Sequence, residues 1–315
     1  MRIVFMGTPE FAVGALEAII QAGHQVTAVV TQPDKPKGRG KEMQMTPVKA
    51  CAVAHDIPVF QPVKIKESEA VEVLRGYAAD IFEVAAFGQI LSEEILSMPK
   101  YGCVNIHASL LPKYRGAAPI QWAIINGEKV TGVTIMQMDR GLDTGDMLMK
   151  TEVPIDVTET ADSLHDKLAQ AGARLIVEAL LKIESGGITP VKQNEEESCY
   201  AKMLQKSMSR IDWNKGAAEL DCLIRGLISW PGAVTVYRSK NLKIWEEEVA
   251  AEDASMHVGD TAPGTVVCVE KDAFYVQTGK GLLKITIVQP EGKKRMTVKD
   301  FLLGYPVKAG EKLGV

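Results

Sequence analysis

Long apolar runs are missing from this 315-residue sequence, and none approaches the ~20 uninterrupted residues of a membrane-spanning helix. The opening MRIVFMG is too short and too strand-like for a secretory leader, which needs a longer apolar region and a small-residue cleavage site. A cytoplasmic location is therefore expected. Cysteine is scarce as well: the five at positions 51, 103, 199, 222 and 268 are scattered, odd in number and never spaced C-x-x-C. That pattern points away from a disulfide framework and from a zinc knuckle. Nor is there an excess of positive charge. With 36 Lys+Arg against 40 Asp+Glu the net charge is −4, which argues against a globally basic nucleic-acid-binding surface but leaves room for local basic clusters. Internal repeats and low-complexity tracts are also lacking.

What remains is ordinary soluble-protein material, 46% hydrophobic and 24% charged, in a length that suits about two domains. The first half alternates apolar strand-like runs with helical patterns. RIVFMG, VTAVVT, DIFEVAAFG, CVNIHA and TGVTIMQM read as strands. In PEFAVGALEAIIQAG, Phe11, Ala15, Ala18, Ile19 and Ala22 form one apolar stripe that Gly23 ends. Such alternation predicts a mostly parallel sheet covered by helices, because parallel strands require crossovers. A long helix follows over 161–183. The texture then changes: residues 189–206 are polar, acidic and aperiodic, which suits a linker. Beyond it comes a helix stopped at Pro231, then five short strand-like runs separated by turn residues, which suggest a small β-barrel. The expected division is 1–188, a linker 189–206, and 207–315.

The chemistry is not where a dinucleotide-binding protein would carry it. FMGTPEFAVG lacks G-x-G-x-x-G, Pro9 removes a backbone donor, and no acidic residue closes the second strand. A plain strand-to-helix turn is the better reading, and a nicotinamide-dependent oxidoreductase the weaker alternative. The stretch VNIHASLLPKYRG is more informative. Asn105 and His107, two apart on a strand, point to one face. Ligands of open parallel sheets bind beyond the carboxyl ends of the strands, where this pair should emerge. MQMDRGLDTGD then supplies Asp139, Asp143 and Asp146 on a glycine-containing loop, and one of them could orient the imidazole. Ser109 lacks the strained elbow of a hydrolase nucleophile. Asn and protonated His are donors suited to an oxyanion, and Asp to proton relay. Direct acyl or formyl transfer to an external amine fits this set; a metal centre built on His107 and the aspartates has poor ligand spacing.

The segments MGTPEFA, TQPDKPKGRGK, TPVK, AAFGQIL, GCVNIHASLLPKYRGAAPIQWAI, TGVTIMQMDRGLDTGD, IDW and GKKRM occur in order along the whole chain and resemble the methionyl-tRNA formyltransferase family. The central block alone is similar to the wider folate-dependent formyltransferases. The resemblance implies an α/β fold, with a Rossmann-like, mostly parallel sheet carrying helices on both faces, followed by a small C-terminal OB-like β-barrel. It implies a catalytic domain, then a tRNA-binding domain. It further implies 10-formyltetrahydrofolate as donor and the amine of methionyl initiator tRNA as acceptor; no metal is expected from the ligand spacing, no membrane span from the lack of apolar runs, and the protein is expected to be a monomer. Asn105, His107 and Asp143 match the family's catalytic residues, and Ser109, Leu110, Leu111 and Pro112 its folate-binding segment.

The same resemblance assigns tRNA contacts to Lys35, Lys37, Arg39 and Lys41 in one Gly/Pro-rich loop, with Arg39 foremost, and to Lys293, Lys294 and Arg295 near the C-terminus. On charge alone both clusters are equally well read as solvated turns. Related formyltransferases acting on a sugar nucleotide or small amine are the nearer rival, and a catalytically silent tRNA-binding protein the more distant one. Trp122, Trp213, Trp230 and Trp245 read as packing anchors, and His24, His55, His165 and His257 carry no assigned chemistry. Glu83 departs from the family pattern, which has an apolar residue there. A carboxylate inside a buried parallel strand is costly unless it is paired or protonated.

Overall fold

The computed structural model describes residues 1–37, 42–250 and 261–314, so Arg39, Lys41 and His257 lie outside the described residues. The chain forms two compact units. The first comprises 1–119, 130–154 and 164–201, and the second 120–129, 155–163 and 202–315.

The first unit is built on seven strands: β1 (Arg2–Gly7), β2 (Gln25–Val30), β5 (Val59–Phe60), β6 (Ile81–Ala85), β7 (Cys103–His107), β9 (Val130–Gln137) and β10 (Met147–Pro154). A hairpin of β3 (Lys35–Lys37) and β4 (Glu42–Gln44) and a short pair of β8 (Arg115–Gly116) with β11 (Tyr200–Ala201) lie outside that sheet. The sheet order is β10-β9-β7-β6-β1-β2-β5, and β9 runs opposite to the other six strands. This is the mostly parallel sheet that the alternating pattern predicts. Each of β1, β6 and β7 is an almost unbroken buried run, as expected where helices cover both faces.

Side-chain alternation assigns the two faces. Val4, Met6, Phe82, Val84 and Cys103 share one core cluster with Val71 and Leu74 of α3 (Ser68–Gly76) and with Ile95 of α4 (Glu93–Leu96). Against the other face lie α1 (Val13–Gln21) and α6 (Ala161–Glu184). A Cβ on Gly172 would sit 2.8 Å from Ile106 Cγ2, so α6 approaches the sheet closely there. Helix α2 (Pro47–Ala54) starts at a cap whose parts are legible in the sequence. Thr46 Oγ1 accepts from Lys49 N at 3.2 Å, and Pro47 stands at the first helical position.

The polar stretch after α6 is tied to the first unit. Arg115 N donates to Cys199 O at 2.9 Å, and β11 pairs with β8 in parallel. Polar texture gives no hint of this, because backbone pairing and a buried guanidinium, rather than apolar periodicity, hold the segment.

The second unit carries a six-stranded antiparallel sheet of β12 (Ala233–Tyr237), β13 (Lys240–Val249), β14 (Val266–Val269), β15 (Phe274–Gln277), β16 (Leu282–Pro290) and β17 (Met296–Thr297). Helices α7 (Ala217–Gly226) and α8 (Val298–Gly304) pack on it. Its core gathers Trp213, Leu220, Ile224, Ile244, Phe274, Ile285, Val288 and Phe301. Helix α5 (Pro119–Ile125) begins in the first unit and ends in the second. Among the described residues no helix is long and apolar enough to cross a membrane.

Candidate active site

Strand β7 continues one face from the buried Cys103 to Asn105 and His107, which are only 9% and 5% exposed. Neither donor of the Asn105 amide is spent on another described residue. The amide is not sealed from solvent, so its donors face accessible space. His107 is held at one nitrogen and faced by a carboxylate at the other. Nε2 donates to Tyr114 O at 2.9 Å, and Nδ1 faces Asp143 Oδ2 at 3.7 Å, beyond hydrogen-bond length.

Asp143 reaches this point from an unexpected direction. Because β9 is antiparallel, it ends beside the start of β7, with Gln137 opposite Val104 and Met138 N donating to Cys103 O at 2.8 Å. Residues 138–146 must then climb back along the face to meet His107. Within that loop Asp139 Oδ1 accepts from Gly141 N at 2.9 Å and Thr144 Oγ1 at 2.7 Å, and it shapes the turn. The Asp146 carbonyl accepts from Gln137 N at 2.8 Å and closes the loop. Of the three aspartates that the sequence offers, only Asp143 meets the imidazole. Its φ of 56° is in the left-handed region that non-glycine residues seldom occupy, so neighbouring contacts must hold it.

Residues 109–112 form a pinned turn. Ser109 Oγ donates to Lys113 O at 2.6 Å; Thr134 Oγ1 donates to Ser109 O at 2.7 Å and accepts from Leu111 N at 3.1 Å. Leu111 and Pro112 are buried, while Leu110 is half-buried. Ser109 thus shapes the loop, and half-buried Leu110 lies over Gly132 of β9.

Gly7 ends β1 with no room for a side chain: a Cβ there would lie 2.8 Å from Phe5, 2.9 Å from Ala12 and 3.0 Å from Ala85 O. This is the plain strand-to-helix turn rather than a phosphate cradle. Lys35 helps line a cavity of about 450 Å³ with Thr8, Gln32, Met45 and Thr46. In the second unit Lys293 and Lys294 are exposed on the turn between β16 and β17. Arg295 is more engaged, pairing with Glu246 and resting on the Trp245 ring 4.8 Å from its centroid, which Lys243 Nζ approaches at 3.6 Å. Trp213 is a core anchor as expected, whereas Trp230 is 54% exposed.

Among the described residues one group, Glu17, Cys51 and His55, could hold a metal ion, with ligand atoms within 4.8 Å of one another. These atoms already satisfy each other: Cys51 Sγ donates to Glu17 Oε1 at 3.2 Å, and His55 Nε2 faces both Glu17 oxygens at 3.0 and 3.1 Å. Burial, then Glu17, pushes the thiol up to about 12, away from the thiolate that a metal would need.

Sequence reasoning missed Tyr114, Arg115 and Gln193. Arg115 is completely buried. Its Nε donates to Gln193 Oε1 at 2.9 Å, while its other two nitrogens donate to the Glu195 carboxylate at 2.8 and 2.9 Å. An arginine between Tyr114 and Gly116 carries no periodic signal, and its partners lie some eighty positions away.

A model of the formyl transferase family matches residues 1–180, and one of its C-terminal domain matches residues 203–306. The chain belongs to the formyl transferase family. Its relatives include the methionyl-tRNA formyltransferase of Lachnospira eligens, 55% identical over 100% of both chains, and that of Agathobacter rectalis, 56% identical over 98% of both. Solved structures share the fold at much lower identity. The N-formyltransferase from Helicobacter canadensis, in complex with folinic acid and dTDP-3-aminofucose, matches with a TM-score of 0.66 and 21% identity over 91% of this chain and 98% of its own. HypX from Aquifex aeolicus in complex with tetrahydrofolic acid matches at 0.62 and 18%, over 96% of this chain and 47% of its own.

Proposed function

We propose that this formyl transferase moves the formyl group of 10-formyltetrahydrofolate to the α-amino group of methionine on initiator tRNA, giving formylmethionyl-tRNA for translation initiation. It works in the cytoplasm as a monomer, with catalysis in the first unit and tRNA held partly by the second. The full-length likeness to methionyl-tRNA formyltransferases supports this acceptor over a sugar nucleotide or small amine. The observation that carries the reading is the meeting of His107 and Asp143 at 3.7 Å on the face that also bears Asn105.

The residues suit a folate donor. The Asn105 amide, with no hydrogen-bond partner among the described residues, offers hydrogen bonds, and half-buried Leu110 offers apolar surface on the turn that follows β7. The donor supplies a formyl carbon on an amine nitrogen, N10, that can leave. Asn105 donates to the formyl oxygen as it gains charge under attack by the methionyl amine. His107 addresses the reacting centre through Nδ1: Nε2 is committed to Tyr114 O, and the 3.7 Å gap to Asp143 leaves Nδ1 outside any hydrogen bond. Asp143 takes a proton from the attacking nitrogen and returns it to N10 as the C–N10 bond breaks. One C–N bond forms, one breaks, and one proton changes nitrogen.

Formyl transfer is measured with radiolabelled donor and charged initiator tRNA, omitting each in turn. His107→Ala should lower kcat by about 10²–10³-fold with tRNA binding retained. Near-parental turnover by that variant would end the mechanism, and turnover of an amino-sugar nucleotide without Met-tRNA would end the choice of acceptor. Lys35, Lys37, Arg39 and Lys41 are assigned to the acceptor end of the tRNA, and Lys293, Lys294 and Arg295 to its backbone.

A further inference from the structure

We propose that Gln193 is a positioning residue for Asp143, and that Arg115 and Gln193 together form a clasp that sets the loop carrying it. The proposal rests on the reading of Asp143 given above. The Gln193 side-chain amide uses both hydrogens on that loop, donating to Asp143 O and to Gly145 O, each at 2.8 Å. Its oxygen accepts from Arg115 Nε at 2.9 Å. Arg115 is itself immobilised, with no exposed surface and the Glu195 carboxylate gripped by its remaining nitrogens.

Asp143 is therefore held at two points. Gln193 takes its carbonyl, and Gly116 N donates to its carboxylate Oδ2 at 2.8 Å. Both holds lead back to one short stretch, because Gly116 follows Arg115 directly. The residue before, Tyr114, accepts the Nε2 proton of His107. Three consecutive residues thus fix the reacting pair: Tyr114 by its carbonyl, Arg115 through Gln193, and Gly116 by its amide. This also accounts for the positive φ of Asp143, which two opposed hydrogen bonds maintain.

A purely structural role, securing 193–201 to the first unit, predicts a different response from a positioning role. Gln193→Glu separates them. Its carboxylate still accepts from Arg115, so the segment stays anchored, but it has no hydrogens for the two loop carbonyls and repels them. Under the positioning role kcat falls by about 10²-fold, the cost of an ångström-scale displacement, while KM for donor and tRNA stays near parental in the folded variant. The double variant Asp143→Asn/Gln193→Glu is then no slower than Asp143→Asn alone, since both changes act on one group. Parental kcat in Gln193→Glu, or additive losses in the double variant, would overturn the proposal. Parental kcat in Asp143→Asn would instead remove the catalytic reading beneath it, so the two failures are told apart.

Discussion

Glu83 is the residue the fold tolerates least. It stands in β6 with no exposed surface, and neither carboxylate oxygen has a hydrogen-bond partner among the described residues. Burial alone raises its pKa well above the ordinary carboxylate value, so it is the neutral acid that the strand accommodates. The sign follows from linkage. A folded-state pKa above the unfolded one means that its contribution is fully present below the unfolded value of about 4.3 and drains away as pH rises towards the folded value. Replacing Glu83 by Leu should raise unfolding stability by about 1–3 kcal/mol near neutral pH, the usual cost of an unsatisfied buried polar group. The advantage should shrink in acid, as thermal melts at several pH values would read. A variant that melts below the parent in mildly alkaline buffer would refute this. Glu247 obeys the same rule in the second unit: burial, then Asp221, pushes it up to about 8 against the pull of Arg225. Glu247→Gln should flatten the loss of stability as pH climbs through about 8. Glu83 was visible in the sequence as an anomaly. That it is unpaired was not, because a missing partner shows only in three dimensions.

At the scale of elements, loop geometry and basic turns make the sharper expectations. A Cβ on Gly145 would collide with the Gln137 carbonyl, so Gly145→Ala should displace the loop of Asp143 and lower kcat more than it lowers donor affinity, as steady-state kinetics would resolve. Lys293→Glu/Lys294→Glu should weaken tRNA binding more than Arg295→Ala, because Arg295 is already occupied by Glu246 and the Trp245 ring. Filter binding at fixed salt checks the order. Elements with strong patterns were legible: the buried runs of β1, β6 and β7 and the long amphipathic α6 fall where their periodicity predicts them. Strand β10 was not, since as a sheet edge it is mostly half-buried or exposed and lacks clean alternation. Nor was the tie of 193–201 to the first unit, which depends on Arg115 rather than on apolar spacing.

For the whole molecule, a net charge of −4 means that tRNA must be held by local clusters against a repulsive background. The KM for tRNA should therefore rise steeply with salt, by a log–log slope of about 0.7–0.9 per neutralised phosphate, while the KM for donor barely moves. A tRNA KM indifferent to salt would remove these clusters from binding. The pairing of Asn105 with His107 was legible because a strand's two-residue period puts them on one face. Which aspartate joins them came only from the family resemblance and not from the residue pattern, because it depends on the direction of β9 relative to β7. The reversal makes residues 138–146 a tether of specified length. The chain leaves the sheet opposite Val104 and must regain the level of His107, about 10 Å further along at the usual rise per residue. Deleting Leu142 would remove up to about 3.5 Å of reach, leaving the carboxylate short of the imidazole with every side chain of the chemistry still present.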